Sequence, residues 1–383
     1  MEATSLLKAR TLSAAALALA GSAVQAQIPD LLSAFDAGGR SLGVGGALTG
    51  STADTRSVLN NPAGLGFTNQ KSVGLSLRNM SESRTRISGE FADPEFESSL
   101  HSGDRSITHL GYVMPMGERT GLGFSFETAG YLRNTTFGTG LQDGAVFRNN
   151  YFDRIRARTD FFTAAVGRTT KSQNQSVGIG LVIANQSLRN NQTYNVGTSA
   201  QDPGTPVVPI SNAGNTYGVG IVVGGQFIPK GNPDGMFSAS LRTPINLNGD
   251  ADVEDYVRRI PGKVSVGYVQ RLGFAQRPQD YILTAFQADY YFGGSSGAIL
   301  SRDNQFVIGT GIEYNFRFRG GYIPIRLGYR NIGEGGNGFS SVRGFTYGIG
   351  YTPDNGGYSV DLSFGRSNGG GKDMSLGLSY RIK

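Results

Sequence analysis

Histidine is scarce in this 383-residue chain, with His101 and His109 its only two. A hydrolase built on a serine or aspartate nucleophile would need one of them as its base. His101 falls in a polar loop-like stretch. His109 lies on the face of a strand-like run opposite Leu110 and Tyr112, with no nucleophile motif beside it. Two histidines and no cysteine leave no thiolate or histidine-rich metal site and no disulfide framework. The carboxylates Asp93, Glu95, Glu97 and Asp104 crowd one polar stretch where water solvates them. "GVGGALTG", residues 43–50, lacks the Gly-x-Gly-x-x-Gly spacing and has no Lys-Ser/Thr after it, so it makes no phosphate loop. Glycines that let one backbone pack closely on another account for it better. These residues predict no catalysis and no cofactor. The formal charge of +6 is spread along the chain and predicts no nucleic-acid partner.

The elements that carry the remaining polar groups show a different logic. The chain has 58 glycines, 17 tyrosines and 22 phenylalanines, no tryptophan, and only 17% charged residues. Apolar residues recur at period two. In "NQFVIGTGIEYNFRF", Phe306, Ile308, Ile312, Tyr314, Phe316 and Phe318 share one face, and Val307, Gly309, Gly311, Glu313, Asn315 and Arg317 the other. Such alternation reads as a strand whose two faces meet different solvents. Candidate strands fall near 71–81, 106–116, 119–131, 155–170, 174–186, 216–228, 236–243, 262–271, 280–292, 304–318, 322–330, 342–353, 357–366 and 373–382. That is an even count of 14, and most are long enough to cross a bilayer at a barrel's tilt. Long links (82–105, 132–154, 187–215, 244–261) alternate with short ones, as external loops alternate with periplasmic turns. The predicted fold is all-β: a 14-stranded antiparallel transmembrane outer-membrane β-barrel over residues 70–383. Glu127, Asp289, Glu313, Arg317, Arg326, Arg330, Asp361 and Arg381 fall on inward faces and read as a lumenal network of mixed sign.

Ahead of the barrel, Lys8 and Arg10 precede the short run "TLSAAALALAGSA", and Val24 and Ala26 flank a small-residue exit. Residues 1–26 therefore read as a cleaved secretory signal, too short to span a membrane. Residues 27–69 do not alternate. They read as short helical turns that a wide barrel can order inside its lumen as a plug. Within them, Asn61 is placed to cap a turn that starts at Pro62, and Gly64 and Gly66 let the chain turn into the first strand.

"DAGGRSLGVGGALTGSTADTRSVLNNPAGLG" resembles the N-terminal signature of the FadL-like outer-membrane transport superfamily. "IRLGYRN" and "GFTYGIGYTPDNGGYSVDLSFGR" are similar to its closing hairpins, its PorV/PorQ branch included. The specific part of the likeness is the thirty-odd residues of the N-terminal signature. The chain departs at its end, where "SYRIK" leaves Tyr380 three positions short of the terminal aromatic common in such barrels. The resemblance implies a hatch motif at Asn60, Asn61, Pro62, Ala63, Gly64 and Leu65, and a hatch turn at Asp36, Gly43, Gly45, Gly46 and Ala47. It also implies passive uptake of hydrophobic small molecules such as long-chain fatty acids across the outer membrane of a Gram-negative-type bacterium. The alternative is a PorV-like component of type IX secretion that handles exported cargo. Membrane lipid and a hydrophobic ligand, or secretion-system proteins, are the partners so implied. Phe91, Phe96, Leu100, Phe137, Leu141, Val146 and Phe147 would line an external capture surface or pack loop on loop. Pro115 and Gly130 are the candidate weak points for lateral exit, because proline deletes a ladder bond and glycine loosens a strand.

Overall fold

The structure is a computed structural model and describes residues 38–80, 83–88, 95–101, 106–138, 141–143, 146–199, 202–250, 258–294, 303–335, 341–366 and 372–382. The signal-like stretch 1–26, Asp36 and Phe91 lie outside the described residues. Fourteen strands form a closed antiparallel barrel. They are β1 Lys71–Met80, β2 Ser106–Pro115, β3 Thr120–Gly138, β4 Val146–Thr169, β5 Gln175–Gly197, β6 Ile210–Phe227 and β7 Gly235–Arg242. The second half comprises β8 Gly262–Phe274, β9 Arg277–Phe292, β10 Gln305–Phe318, β11 Gly321–Ile332, β12 Val342–Pro353, β13 Tyr358–Arg366 and β14 Lys372–Ile382. Each pairs with its chain neighbours, and β14 closes on β1 through the rungs from Ile382–Lys71 to Asp373–Met80.

The wall is apolar outside and polar inside, as period two requires. On β5, Val177, Ile179, Leu181 and Ile183 are exposed on the outer face, Val177 at 67%, while Ser176, Val182 and Ala184 face inward and are buried. Val219, Ile221 and Val223 of β6 and Ile325, Leu327 and Tyr329 of β11 continue the outer band. So much exposed aliphatic surface in a continuous belt is stable against lipid and not against water. Closure is the matching backbone requirement, because an open edge in hydrocarbon would leave N–H and C=O groups unsatisfied. Tyr290 and Phe306 pack at 4.6 Å at the long-link end of this belt, and Phe316 and Phe318 at 6.3 Å at the short-turn end.

Several strands outrun the sequence expectation. Most of 132–154 and 187–215, read as loops, is sheet that extends β3, β4, β5 and β6 past the apolar belt. His101 likewise ends a strand, Glu95–His101, which pairs with the extension of β3. Both faces of such extensions meet polar surroundings, so "SLRNNQTYNVG" carries no hydrophobic alternation and the periodic signal is silent there.

Residues 38–70 run inside the ring. Two short helices, α1 Arg40–Gly43 and α2 Ser57–Asn60, and a 3₁₀ turn, Pro62–Phe67, carry them. Hydrogen bonds tie this segment to Ser76 of β1, His109 of β2, Ser176 of β5, Gly225 of β6 and Ser238 of β7. Others reach Gln287 of β9, Glu313 of β10, Thr346 of β12 and Ser375 of β14. Its backbone or side chains also press on Gly121 of β3, Gly167 of β4, Gly267 of β8, Gly328 of β11 and Ser363 of β13. Contact with all 14 strands is possible only from within the lumen. Leu42, Val44, Leu48, Val58, Leu59 and Leu65 are buried there, each contributing about 1.5–3 kcal/mol that the segment would lack in isolation.

Candidate functional site

The "NNPAGLG" stretch shows how the lumen is filled. Asn61 is extended (φ −157°, ψ 92°), as the residue before a proline should be, and its Oδ1 accepts the Ala63 N–H at 3.2 Å. Its Nδ2 donates to Gly50 O at 2.9 Å and to Gly225 O at 3.3 Å, joining the turn to the β6 wall. The wall opposite is glycine: a Cβ on Gly178 would fall 2.3 Å from the Pro62 carbonyl carbon, and one on Gly224 1.9 Å from Asn61 Oδ1. Gly45 makes a second such seat. Its φ of +72° suits glycine, and an added Cβ would lie 2.4 Å from Tyr329 O, while Gly328 leaves the matching space on β11. Gly46 donates its N–H to Ser41 O at 2.8 Å, and Gly43 and Ala47 are buried on either side. Asn60 is buried and donates to Arg56 O at 3.3 Å.

An ionic chain fixes α1 to the wall. Arg40 donates to Glu313 through Nε (2.7 Å) and Nη2 (2.5 Å). Glu313 also accepts Arg326 Nε at 2.6 Å and Asn315 Nδ2 at 2.9 Å, and Arg326 Nη2 lies 2.6 Å from Asp361. Burial works against the charge on Arg40, but the Glu313 carboxylate outweighs it and holds the guanidinium protonated above its ordinary range. Glu313, Arg326 and Asp361, three of the charges expected on inward faces, come together here; Arg40 was not among those charges, and its partner lies 273 positions away. Asp289 meets Lys263 at 3.3 Å and accepts from Gln287, which in turn holds the Gly50 N–H. Arg330 is buried on β11. Arg317 pairs with Asp354 beside the short turns, and Arg381 is exposed at the same mouth, where it lines one cavity with Glu313 and Asp361.

His109 is engaged after all. Thr55 Oγ1 lies 2.8 Å from its Nε2, and Glu127 Oε1 3.4 Å from its Nδ1, with all three groups buried. The order hydroxyl–imidazole–carboxylate is that of a nucleophilic relay, but it also pins the segment to β2. Arg56 beside it donates to Gly38 O and Ser76 Oγ. Around these groups lies a cavity of about 260 Å³ lined by Arg40, Arg56, His109, Glu313, Asp361 and Arg381 among others, open toward the β12–β13 turn at Gly356. Its charged groups share the lining with apolar and aromatic side chains, Leu75, Tyr281, Tyr322 and Leu378 among them.

Beside His109 the described rungs of the wall stop. The β2–β3 ladder runs from Pro115–Gly121 to His109–Glu127, Thr128 Oγ1 donates to Ile107 O at 3.4 Å, and among the described residues the next rung on β3 is His101–Arg133 of the separate strand Glu95–His101. Both strands are irregular here: β1–β2 shifts register between Ser76 and Leu77, skipping Thr108 of β2, and β3–β4 shifts between Thr128 and Gly130. Gly130 therefore falls between these rungs. Pro115 does not: it forms the last rung at the short-turn end, where a missing N–H breaks nothing, so its role as a weak point is corrected. Of the loop apolar residues proposed for capture, Phe96, Leu100 and Phe137 lie on strands that pair with one another, and Leu141, Val146 and Phe147 lie on a neighbouring pair.

The 244–261 link departs most from expectation. Its described ends do not stay outside. Pro244 and Pro261 stand at the end of the β7–β8 ladder, and beyond them Ile245–Asn246 and Arg259–Ile260 pair as a separate ribbon. Ile245, Leu247 and Ile260 are buried, and Ile245 occupies the space left by Gly218 and Gly220 on the inner face of β6. The two prolines release the ribbon from the wall because neither can donate to the ladder. Isolated isoleucines flanked by prolines were the only sequence signal.

No protein-family model matches the sequence, and no curated protein is matched by it. Solved structures are similar in fold. A Pseudomonas aeruginosa FadL homologue superposes with a TM-score of 0.62 at 14% identity, over 94% of this chain and 100% of that one. The Ralstonia pickettii toluene transporter TbuX gives 0.59 at 15% identity, over 90% and 98%. A mutant of the monoaromatic hydrocarbon channel TodX gives 0.60 at 11%, over 92% and 99%. The chain thus shares the fold of these FadL-type barrels.

Proposed function

We propose that this chain, exported through a cleaved signal at 1–26, is an outer-membrane barrel that takes up hydrophobic small molecules such as long-chain fatty acids. Residues 27–69 act as its hatch. One observation carries the reading: the lumen is filled by a segment that touches every strand, while alongside it the described rungs between β2 and β3 stop at His109–Glu127. The barrels of like fold that pass toluene and monoaromatic hydrocarbons support the solute class.

The charged side chains on the cavity wall support sideways release. An apolar solute that continued toward the short-turn mouth would pass the ion pairs of Arg40, Glu313, Arg326 and Asp361. It would then re-expose its surface to water at about 25 cal/mol per Å². Leaving through the β2–β3 seam keeps it in contact with lipid. Uptake of labelled oleate and toluene, measured in cells that lack their own barrel of this kind, tests the route. Gly130→Val should lower uptake and Pro115→Val should leave it normal; normal uptake in both removes the seam from the mechanism. Capture of a large translocon in stoichiometric amounts from solubilised membranes would instead favour the secretion alternative.

A further inference from the structure

We propose that the outer wall of β4 and β5, just beyond the apolar belt, is a binding site for the phosphate groups of an outer-leaflet lipid. The inference rests on the membrane-spanning orientation of the barrel and not on what passes through it. Arg154, Arg156 and Arg158 alternate along β4 with the inward-facing Asp153, Ala157 and Thr159, so their side chains leave on the outer face. Phe162, four residues further along that face, is 48% exposed within the apolar belt. Across the ladder, Arg156 pairs directly with Arg189 of β5, which is exposed, and on the other side with the register position of Arg133 in β3. Like charges directly opposite one another destabilise a sheet unless something neutralises them.

The protein supplies little to do so. Among the described residues of this face the acid is Asp160, and it is already engaged by Arg158 Nε at 2.7 Å and Thr128 Oγ1 at 2.8 Å. The Nε atoms of Arg154 and Arg156 are buried without a hydrogen-bond partner. Height selects the ligand. Tyr217 of β6, Asn185 of β5 and Asp160 share one row, where the aliphatic belt ends and a tyrosine marks the interface. The Arg156–Arg189 row stands four residues beyond, about 10 Å higher for a strand tilted as in such barrels. That is the layer of headgroup phosphates. Guanidinium forks hold phosphate oxygens in pairs, and acyl chains of the same lipid would lie on Phe162, Ile183 and Val219.

Native mass spectrometry of the full barrel tests this with three probes: a bisphosphorylated lipid A, its dephosphorylated counterpart, and inorganic phosphate. The wild type should retain the bisphosphorylated lipid and neither of the others. The Arg154→Gln/Arg156→Gln/Arg189→Gln variant should bind it roughly 100-fold more weakly, while the corresponding triple lysine variant keeps most of the binding. Wild-type binding that does not distinguish the phosphorylated from the dephosphorylated lipid would overturn the proposal, even if the glutamine variant fails to fold. So would equal retention by a folded glutamine variant, or a preference for inorganic phosphate. Uptake of hydrophobic solutes should be unchanged in the variant, so a loss of lipid binding is distinguishable from failure of the transport reading.

Discussion

Arg40 is the residue on which the seating of the lumenal segment turns most visibly. It is the cation that α1 places on Glu313, and Arg326 on the far side remains as a partner for that carboxylate when Arg40 is removed. Arg40→Ala should therefore loosen α1 without collapsing the wall, at a cost of about 1.5–3 kcal/mol for a charged hydrogen-bonded pair. Because the chain has no cysteine, a single Ser51→Cys reports this directly: its labelling by a maleimide should speed up in the Arg40→Ala background and stay slow otherwise. Thr55 asks a sharper question. If Thr55, His109 and Glu127 only tether the segment, a fluorophosphonate will not label the folded barrel; stoichiometric labelling that disappears in Thr55→Ala would reveal a nucleophile. At this scale the sequence was legible where partners are local. Asn61 and Pro62 announce their cap because Ala63 is two residues away. Arg40 and Thr55 announced nothing, because no periodicity encodes pairs separated by 273 and 54 positions.

Among the elements, the strands were legible and their irregularities were not. Alternation located all fourteen within a few residues of their short-turn ends, since that is where lipid and lumen impose opposite demands on the two faces. It failed where both faces meet polar surroundings, in the extensions of β4 and β5, and where the chain leaves the wall, at Pro244 and Pro261. The inward glycines have a double reading in sequence, as strand weakeners or as room-makers, and the structure assigns several of them to the second. Gly178→Val and Gly328→Val each place side-chain atoms where the segment's backbone runs. Both variants should still fold as heat-modifiable barrels, yet show a protease-sensitive N-terminal segment and larger ion conductance in planar bilayers. Protease resistance and conductance equal to the wild type would show that the segment is not held by these seats. The ribbon beyond β7 and β8 makes a separate prediction. Ile245→Asp buries a charge against Gly218 and Gly220 and should expel the ribbon from the lumen, read as protection lost at the Leu247 amide in hydrogen exchange.

In the whole molecule, the closed wall, the filled lumen and the seam between β2 and β3 would together make the path proposed for apolar solutes. That path requires the segment inside the ring to be a moving part. Ser51 Oγ lies 2.9 Å from Ser238 Oγ of β7, joining the segment to the wall midway along its course. Replacing both by cysteine in this cysteine-free chain gives a reversible lock. The measurement is uptake of labelled oleate by cells carrying the Ser51→Cys/Ser238→Cys barrel, oxidised and then reduced. A hatch predicts that the oxidised barrel loses uptake and that reduction restores it to the level of the wild type. Equal uptake in the locked and unlocked states would contradict it, and would make the segment a fixed part of the wall.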